Sequence, residues 1–469
     1  MGSLLDKVRK MDKIYVCFDL LKRELEDYFE SDFAEEKKQI CLQCLIEIQN
    51  YSQSLNLEIT SLIRCIVELM HKDMNMELYS KIDMFLQKTE EIFINIYKSN
   101  ISSEDSYKEE YIENYFKTDY EKTAILVYIL RPFIFPELPV SHTNQVEAKI
   151  IAKTLSEKGF NVDLINSRYI GEIDYGKYDF IIGEGLVFEK ICKNKKKDAK
   201  AVYYLTRASS YFANMAALRR YRYFEERNHY FPSFERFSPD LLDLPALTEI
   251  NTAICLGNEH TISTYKDIFS KIYPLNVTGF TQFPYSGINK SNNTKNFLWY
   301  GGAGAIHKGL DLCIEAFRSL PDLNLHIVGS VSSEFYNFYK KDIEQGENIY
   351  YYDFLLKGSE EFRYVCEECT FSLSPSCSES QSTAVITTMF SGIIPVCTKE
   401  CGINVETCGG FLIEDIAIDS MRDFIRKLSS IDMQELHERQ NRVYAYVMDH
   451  HSEENYYNSF KKILKNILK

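Results

Sequence analysis

From residue 123 onward, short and nearly continuous apolar runs alternate with segments of helical periodicity, and this alternation restricts the fold more than any other feature of the chain. The first run, 123–133, has the composition of a strand that is buried on both faces. A helical segment at 146–159 follows and leads into a second apolar run at 160–166. Strand–helix–strand units of this kind form parallel sheets through right-handed crossovers. The pattern therefore predicts an α/β fold.

Two such series follow one another along the chain. The loop between them, 286–295, is rich in Gly, Ser and Asn, as expected at a domain boundary. We therefore predict two Rossmann-like domains that face a cleft, over residues 123–285 and 286–445. An amphipathic C-terminal helix in 446–469 is expected to pack back on the first of them. Ligands of open α/β sheets bind at the carboxyl ends of the strands.

The N-terminal region has a different character. Residues 1–100 contain no Pro and one Gly, Gly2, and apolar residues such as Cys44 and Ile48 recur at helical spacing. This pattern predicts an all-α domain, a bundle of about four helices. The following residues, 101–122, are polar, acidic and rich in Tyr, which predicts a linker.

Composition and charge restrict the class of protein. The net charge of −14 disfavours a nucleic-acid-binding protein with a broadly basic face. The basic stretch 218–227 is interpreted as a solvated helix face in preference to an anion site. Neither a signal peptide nor an apolar run of about 18 residues is found, so we expect a cytoplasmic protein with at most peripheral membrane contact.

The 13 cysteines include two pairs with zinc-like spacing, Cys41/Cys44 and Cys366/Cys369. Each pair lies in a helix-like segment with neither a matching pair nor a His cluster nearby. The sequence therefore predicts buried, reduced thiols, and no metal site.

One carboxylate, Glu379, lies in a serine-rich loop within the stretch 374–396, between a predicted strand and an apolar helix. The N-terminus of a helix carries free N–H groups and a partial positive charge, which favour a phosphate. A carboxylate beside such a site is explained if it binds neutral hydroxyl groups, for example those of a sugar. The alternative explanation is an acidic residue that simply favours a helix N-terminus.

A glycine-rich turn in the stretch 299–317 carries the second candidate site. Gly301, Gly302 and Gly304 follow a predicted strand, and Lys308 precedes the next helix. Glycines let the backbone approach a ligand closely, and the lysine adds a positive charge for phosphate oxygens. The turn lacks the GxxxxGK[ST] pattern of a P-loop. Together with the glutamate loop, it predicts a site that binds a phosphate or diphosphate next to sugar hydroxyls.

The segments FLWYGGAGAIHKGLDLCIEAF, LHIVGS and SPSCSESQSTAVITTMFSGIIPV resemble the retaining glycosyltransferases of family 4, which have the GT-B fold. The resemblance spans about residues 120–465. It implies that Lys308 binds the donor diphosphate and that Glu379 binds donor sugar hydroxyls. It further implies that backbone amides hold the diphosphate near three consecutive residues: Ser382, Thr383 and Ala384.

Two positions depart from the family pattern. The second glutamate of the family motif, which usually contacts the nucleotide ribose, is Thr387 here, and a hydroxyl would make a weaker contact. The arginine that often accompanies the lysine is replaced by Ala303. Diphosphate binding would then depend more on Lys308 and on backbone N–H groups.

Other candidate residues are less specific. The resemblance places the loop 141–145 opposite the donor, with His142 as a catalytic candidate and Asn144 as a binding candidate; a packing or surface role is the alternative for the histidine. Arg207 follows another predicted strand and is a candidate for an anionic group. Asp353 and Phe354 are candidates for the nucleotide base, with structural packing as the alternative.

The resemblance implies a metal-independent, retaining glycosyltransferase with no tightly bound cofactor. Its donor would be a nucleotide-diphosphate sugar, UDP-sugar ahead of GDP-sugar, and its acceptor a protein, a lipid-linked sugar or a glycan. A non-catalytic GT-B scaffold that binds a partner, and a nucleotide-sugar epimerase, are the alternatives. The helical N-terminal domain is left with three open roles: homodimerisation, recognition of a protein acceptor, or support of the first Rossmann-like domain.

Overall fold

The computed structural model divides the chain into two units, residues 1–110 with 130–139, and residues 111–129 with 140–469. The described residues are the following: Ile14, Cys17, Leu21, Glu24, Leu25, 35–54, 59–70, Ile82, Leu86, Thr89, 110–136, 142–238, 250–355 and 357–469.

The first unit is helical in the part that the structure describes. Its helices are Glu35–Ser54 (α1), Ile59–Met70 (α2) and Arg131–Ile134 (α3). Cys41, Leu45 and Ile48 lie on one face of α1 and are buried. Helical character in the N-terminal region is thus confirmed for the described residues. The remainder of the predicted bundle lies outside them.

The first sheet of the second unit has seven strands in the order β1-β3-β2-β4-β5-β6-β7, parallel except for the β1–β3 pair. The strands are Tyr111–Ile112 (β1), Lys122–Tyr128 (β2), Phe160–Asn166 (β3), Phe180–Gly183 (β4), Lys200–Leu205 (β5), Thr252–Leu256 (β6) and Lys271–Leu275 (β7). The central strands are buried on both faces, in agreement with their continuous apolar composition.

Four helices follow strands of this sheet: Thr143–Glu157 (α4), Gly185–Lys193 (α5), Ser210–Asn228 (α6) and Glu259–Ser263 (α7). Polar side chains cap the N-termini of two of these helices. Ser209 accepts a hydrogen bond from Phe212 N at 3.3 Å, and Asn258 accepts one from His260 N at 3.0 Å. His229 adopts a left-handed conformation and ends α6.

The second half of the predicted linker 101–122 belongs to the sheet instead. Its strand β1 pairs antiparallel with β3 and lies beside the fully buried carboxylate of Asp163, which requires polar partners. The Tyr111 hydroxyl, Asn114 N at 2.8 Å and Lys177 Nζ at 2.7 Å provide them. Residues 111–112 of this acidic, tyrosine-rich stretch therefore form an edge strand of the sheet and not part of a free linker.

The second sheet has six parallel strands in the order β10-β9-β8-β11-β12-β13. They are Asn296–Tyr300 (β8), Asn324–Val328 (β9), Ile349–Tyr351 (β10), Phe371–Ser374 (β11), Ile394–Cys397 (β12) and Phe411–Leu412 (β13). Its helices are Leu310–Phe317 (α8), Ser333–Gln345 (α9), Glu360–Glu368 (α10), Thr383–Met389 (α11), Val405–Cys408 (α12) and Ile418–Ser429 (α13).

Two long helices end the chain, Met433–His451 (α14) and Glu453–Leu468 (α15), with the break at Ser452. The last helix packs on α4 and β7 of the first domain. The Tyr456 hydroxyl lies 2.6 Å from that of Tyr204, and Lys200 Nζ donates to Ile467 O at 2.8 Å. The first domain is therefore completed by residues from the end of the chain.

The two domains also meet along the segment that joins them, residues 276–295 between β7 and β8. Glu147 of α4 accepts hydrogen bonds from Thr278 N at 2.8 Å and from Thr278 Oγ1 at 3.2 Å. Burial raises the pKa of Glu147 to about 7. His451 Nδ1 lies 2.8 Å from Val277 O, so the joining segment is held from both sides.

Helix α6 makes a second connection between the domains. Arg227 Nε lies 2.8 Å from Glu315 Oε2, and Arg227 Nη2 lies 2.5 Å from Asp311 Oδ2 on α8. Arg220, which is 4% exposed, donates to Pro375 O at 2.8 Å. The prediction that 218–227 is a solvated face is therefore wrong for Arg220 and Arg227.

The described cysteines are free thiols, and the two CxxC pairs are buried as predicted. Among these described residues, no group of three or more His, Cys, Asp and Glu side chains could hold a metal ion. No helix in the described part of the chain combines the length and apolarity needed to cross a membrane. The predicted α/β class with two Rossmann-like domains is confirmed.

Candidate functional site

The glycine turn and the glutamate loop lie side by side at the carboxyl edge of the second sheet. The turn follows β8 and the loop follows β11, and these two strands are paired neighbours. Parallel strands end at the same edge, so residues far apart in the sequence come together there. This is the edge at which the sequence predicts a ligand.

The glycines of the turn have different surroundings. Gly301 N donates to Val328 O at 3.0 Å, and a Cβ on Gly301 would lie 2.6 Å from Trp299 Cη2. Gly304 adopts φ +91°, a conformation that favours glycine. Around Gly302, a Cβ would meet no heavy atom of the described residues within 4 Å, so this side of the turn is open.

Lys308 and Glu379 form an ion pair at the centre of this edge. Lys308 Nζ donates to Glu379 Oε1, and Ser376 Oγ donates to the same oxygen at 3.4 Å. The exposed fractions of the Lys308 and Glu379 side chains are 16% and 12%. The structure thus brings together the two residues on which the sequence hypothesis chiefly rests.

Glu379 is ionised at neutral pH. Burial alone would raise the pKa of Glu379, but the positive charges of Lys308 and Arg236 outweigh it and lower the pKa to about 2. An ionised carboxylate offers only acceptors, which suits hydroxyl donors. The negative charge of Glu379 is therefore compensated by cations within the site.

His307, which the sequence analysis did not single out, connects the turn to the loop. Its Nε2 lies 2.6 Å from Ser378 O, and its Nδ1 lies 3.4 Å from Cys377 Sγ. A carbonyl only accepts, so we assign the proton to Nε2 and the thiol as donor to Nδ1. Burial lowers the pKa of His307 to about 4, so the ring is neutral and fixes the loop beside the turn.

Some backbone N–H groups of the glutamate loop already donate hydrogen bonds to backbone carbonyls of the protein. Glu379 N donates to Glu400 O at 2.9 Å, and Ser382 N donates to Cys401 O at 3.0 Å. The amide of Ser382 is thereby committed to the protein. At the start of α11, the N–H groups of Thr383 and Ala384 donate to no acceptor in the described part of the chain.

Thr387 lies on α11 against the segment that joins the domains. Its side chain is buried, and its Oγ1 accepts a hydrogen bond from Phe280 N at 3.4 Å. Gln381 contacts the same segment, since its Oε1 accepts from Val277 N at 2.8 Å. A contact of Thr387 with a ribose stays a prediction.

His142 lies at the N-cap of α4, where its Nδ1 accepts a hydrogen bond from Asn144 N at 3.2 Å. Desolvation lowers the pKa of His142, and the charges of Lys357 and Lys308 lower the pKa further. Asn144 Oδ1 is buried, with no hydrogen-bond partner among the described residues. That His142 faces the donor site stays a prediction.

The remaining candidates lie at the margins of this constellation. Arg207 is exposed, and its Nη1 donates to Ser238 Oγ at 3.1 Å. Asp353 adopts φ +49°, and its carbonyl accepts from Gly329 N at 2.5 Å. Phe354 beside it is 45% exposed. The structure does not show any of these three side chains in contact with Lys308 or Glu379.

Residues 283–445 match the family model described as "Glycosyl transferases group 1". The second Rossmann-like domain is therefore similar to the group 1 glycosyltransferases. No match was found among curated proteins.

Sucrose-phosphate synthase from Thermosynechococcus elongatus, 9% identical, has a TM-score of 0.52, with 74% of this chain and 99% of that chain covered. WaaG, a glycosyltransferase involved in lipopolysaccharide biosynthesis, is 16% identical with a TM-score of 0.45 over 73% of this chain and 99% of its own. HepE of Anabaena, in a complex with UDP and glucose, is 13% identical with a TM-score of 0.46, over 74% of this chain and 99% of its own. The likeness to the synthase supports the GT-B fold.

The sequence did not predict two further cations, Arg236 and Lys357. Arg236 Nη1 lies 3.4 Å from Glu379 Oε1. Lys357 Nζ lies 3.9 Å from the centroid of the Phe280 ring, and burial lowers the pKa of Lys357 to about 8. Neither residue belongs to a recognisable motif, so the sequence carried no local signal for them.

Proposed function

We propose that this chain is a glycosyltransferase that moves a sugar from a nucleotide-diphosphate sugar to its acceptor, without a metal ion and with retention of anomeric configuration. The observation that carries the proposal is the Lys308–Glu379 pair, which joins a fixed cation to an ionised acceptor at the open carboxyl edge of the sheet. Such a pair offers one group for a diphosphate and one for sugar hydroxyls.

In this proposal the donor inserts between the two side chains. The Lys308 ammonium binds the diphosphate and stabilises the negative charge that develops as the sugar–phosphate bond breaks. The Glu379 carboxylate accepts hydrogen bonds from sugar hydroxyls and so holds the ring in place. The open N–H groups of Thr383 and Ala384 add donors for phosphate oxygens.

His142 is proposed to face the donor sugar from the first domain. Because its Nδ1 accepts the Asn144 N–H and its pKa is lowered, the ring is neutral and carries its proton on Nε2 at pH 7. That N–H can donate to a sugar hydroxyl. Asn144 Oδ1, which has no hydrogen-bond partner among the described residues, provides an acceptor beside it.

The substrate specificity of the site is also a proposal. We propose a UDP-sugar ahead of a GDP-sugar as donor, with Asp353 and Phe354 beside the base and Gly301, Gly302 and Gly304 beside the diphosphate. The Glu235 carboxylate already occupies the Gly304 amide, at 2.8 Å. The proposed acceptor is a protein, a lipid-linked sugar or a glycan.

The proposal is tested by nucleotide release from a panel of UDP- and GDP-sugars, with the full chain in the presence of a chelator. We expect slow release from one donor, and a loss of about 10²–10³-fold in Glu379→Gln and in Lys308→Ala. Glu226→Gln and Lys340→Ala are matched controls, because both side chains are more than half exposed. A lack of both release and thermal stabilisation for every donor would refute the proposal and favour the scaffold alternative.

A further inference from the structure

Arg236 brings a second positive charge to the Lys308–Glu379 pair from the first domain. Its Nη1 lies 3.4 Å from Glu379 Oε1, the oxygen that Lys308 Nζ also contacts. The Arg236 side chain is 41% exposed, compared with 16% for Lys308, so its guanidinium borders the solvent of the cleft. An anion that enters the site therefore meets both cations.

The stem of Arg236 crosses the glycine turn. A Cβ on Gly304 would lie 2.6 Å from Arg236 Cγ, so the glycine leaves the space that the arginine stem occupies. The preceding residue, Ala303, adds no charge to the turn. The guanidinium thus reaches the turn from outside the second domain.

Residues on either side of Arg236 fix its position. Glu235 Oε2 accepts hydrogen bonds from Gly304 N at 2.8 Å and from Ala305 N at 3.1 Å. Ser238 N donates to Asn214 Oδ1 at 2.9 Å, and Ser238 O accepts from Asn214 Nδ2 at 2.8 Å. The segment is therefore attached to the turn at one residue and to α6 at another, which reduces the entropy that Arg236 would lose on binding a ligand.

The charges of the site match a diphosphate. With the Glu379 carboxylate engaged by hydroxyl donors, two cations remain for the two phosphate groups of a nucleoside diphosphate. A guanidinium presents a planar fork of N–H donors that fits phosphate oxygens, whereas an ammonium acts as a point charge. We propose that Arg236 is the second diphosphate-binding residue of this site. The inference rests on the proposed function and adds a residue to it.

The test is the affinity of UDP and GDP, measured by calorimetry with the full chain. Arg236→Ala should weaken the tighter of the two about 10- to 100-fold, the effect of one hydrogen-bonded charged contact. Arg236→Lys should fall in between. Arg222→Ala, an exposed arginine on α6, should bind as the wild type does. Equal affinity of Arg236→Ala and the wild type would overturn the proposal.

A double variant separates direct binding from an effect through Glu379. If Arg236 binds phosphate itself, Arg236→Ala should lose the same factor in a Glu379→Gln background, where the 3.4 Å charge pair no longer exists. If the loss disappears in that background, Arg236 only compensates the carboxylate and the proposal is wrong. Thermal unfolding of each variant shows whether the fold is retained.

The outcome also distinguishes this inference from the proposed function. A wild-type protein that binds neither UDP nor GDP and releases no nucleotide from any sugar donor refutes both. A wild-type protein that binds and turns over its donor, together with an Arg236→Ala variant of unchanged affinity, refutes the role of Arg236 alone.

Discussion

Replacement of Arg227 by methionine should destabilise the chain strongly, because it leaves two carboxylates without their cation. Met retains an apolar stem over the Tyr223 ring, above which the guanidinium carbon lies 4.1 Å from the centroid. It removes the charge that lies between Asp311 and Glu315. Burial raises the pKa of Asp311 to about 6, although Arg227 and Arg220 act to lower it. The compensation is therefore incomplete even in the wild type.

The expected loss follows from the burial of these groups. The side-chain exposures of Arg227 and Asp311 are 13% and 0%, and removal of one partner of a buried pair costs about 3–5 kcal/mol. Arg222→Met on the same helix is the matched control. Its pair with Glu226 is 78% and 59% exposed, so a loss of at most about 1 kcal/mol is expected. The loss for Arg227→Met should be smaller at low pH, where a protonated Asp311 needs no cation.

Urea unfolding, followed by tryptophan fluorescence, measures both losses. Trp299 is the single tryptophan of the sequence, and it is 1% exposed in β8, so its emission reports the domain that holds Asp311. Equal losses for Arg227→Met and Arg222→Met, both below about 1 kcal/mol, would refute the reasoning. A loss for Arg227→Met that does not change with pH would show that the Asp311 carboxylate does not carry the effect.

Three further predictions concern single residues. The charges of Lys308 and Arg236 outweigh burial and hold the pKa of Glu379 at about 2, below its ordinary 4.5, so the stability that its charge provides is lost as the pH falls through this range. Thermal unfolding should show a smaller acid-induced loss for Glu379→Gln than for the wild type, and an equal loss would contradict the pKa. Burial raises the pKa of Glu147 from 4.5 to about 7, so the wild type should lose stability relative to Glu147→Gln as the pH rises from about 4.5 to about 7; melting temperatures that run parallel over this range would count against this. Gly304 has φ +91°, and a Cβ there would lie 2.6 Å from Arg236 Cγ, so Gly304→Ala should weaken UDP or GDP binding as Arg236→Ala does. Wild-type affinity in calorimetry would show that Arg236 does not need the space that Gly304 leaves for its stem.

The sequence predicts those parts of the molecule that depend on local patterns. Buried strands are continuous apolar runs, so the α/β class and the two Rossmann-like domains could be predicted. Lys308 and Glu379 each lie in a short motif that follows such a strand, and the parallel pairing of β8 with β11 brings the motifs together. The order of the strands thus places the glycine turn and the glutamate loop next to each other.

Contacts between distant segments could not be predicted in the same way. Arg236 contacts Glu379 across 143 positions, and no motif surrounds the arginine. The stretch 218–227 looks like a solvated basic face, yet Arg220 and Arg227 are covered by the second domain. The tyrosine-rich stretch that looks like a linker supplies Tyr111 to a buried aspartate. In each case a tertiary partner, invisible in the local sequence, decided the environment.

The position of α15 has a consequence for folding during synthesis. The first sheet and α4 receive their last covering helix, Glu453–Leu468, from the far end of the chain. Domains ordinarily fold in the order in which they leave the ribosome. Here the surface of α4 and β7 that α15 covers stays exposed until the whole second domain has been translated. The first Rossmann-like domain is therefore completed only after the second has been translated.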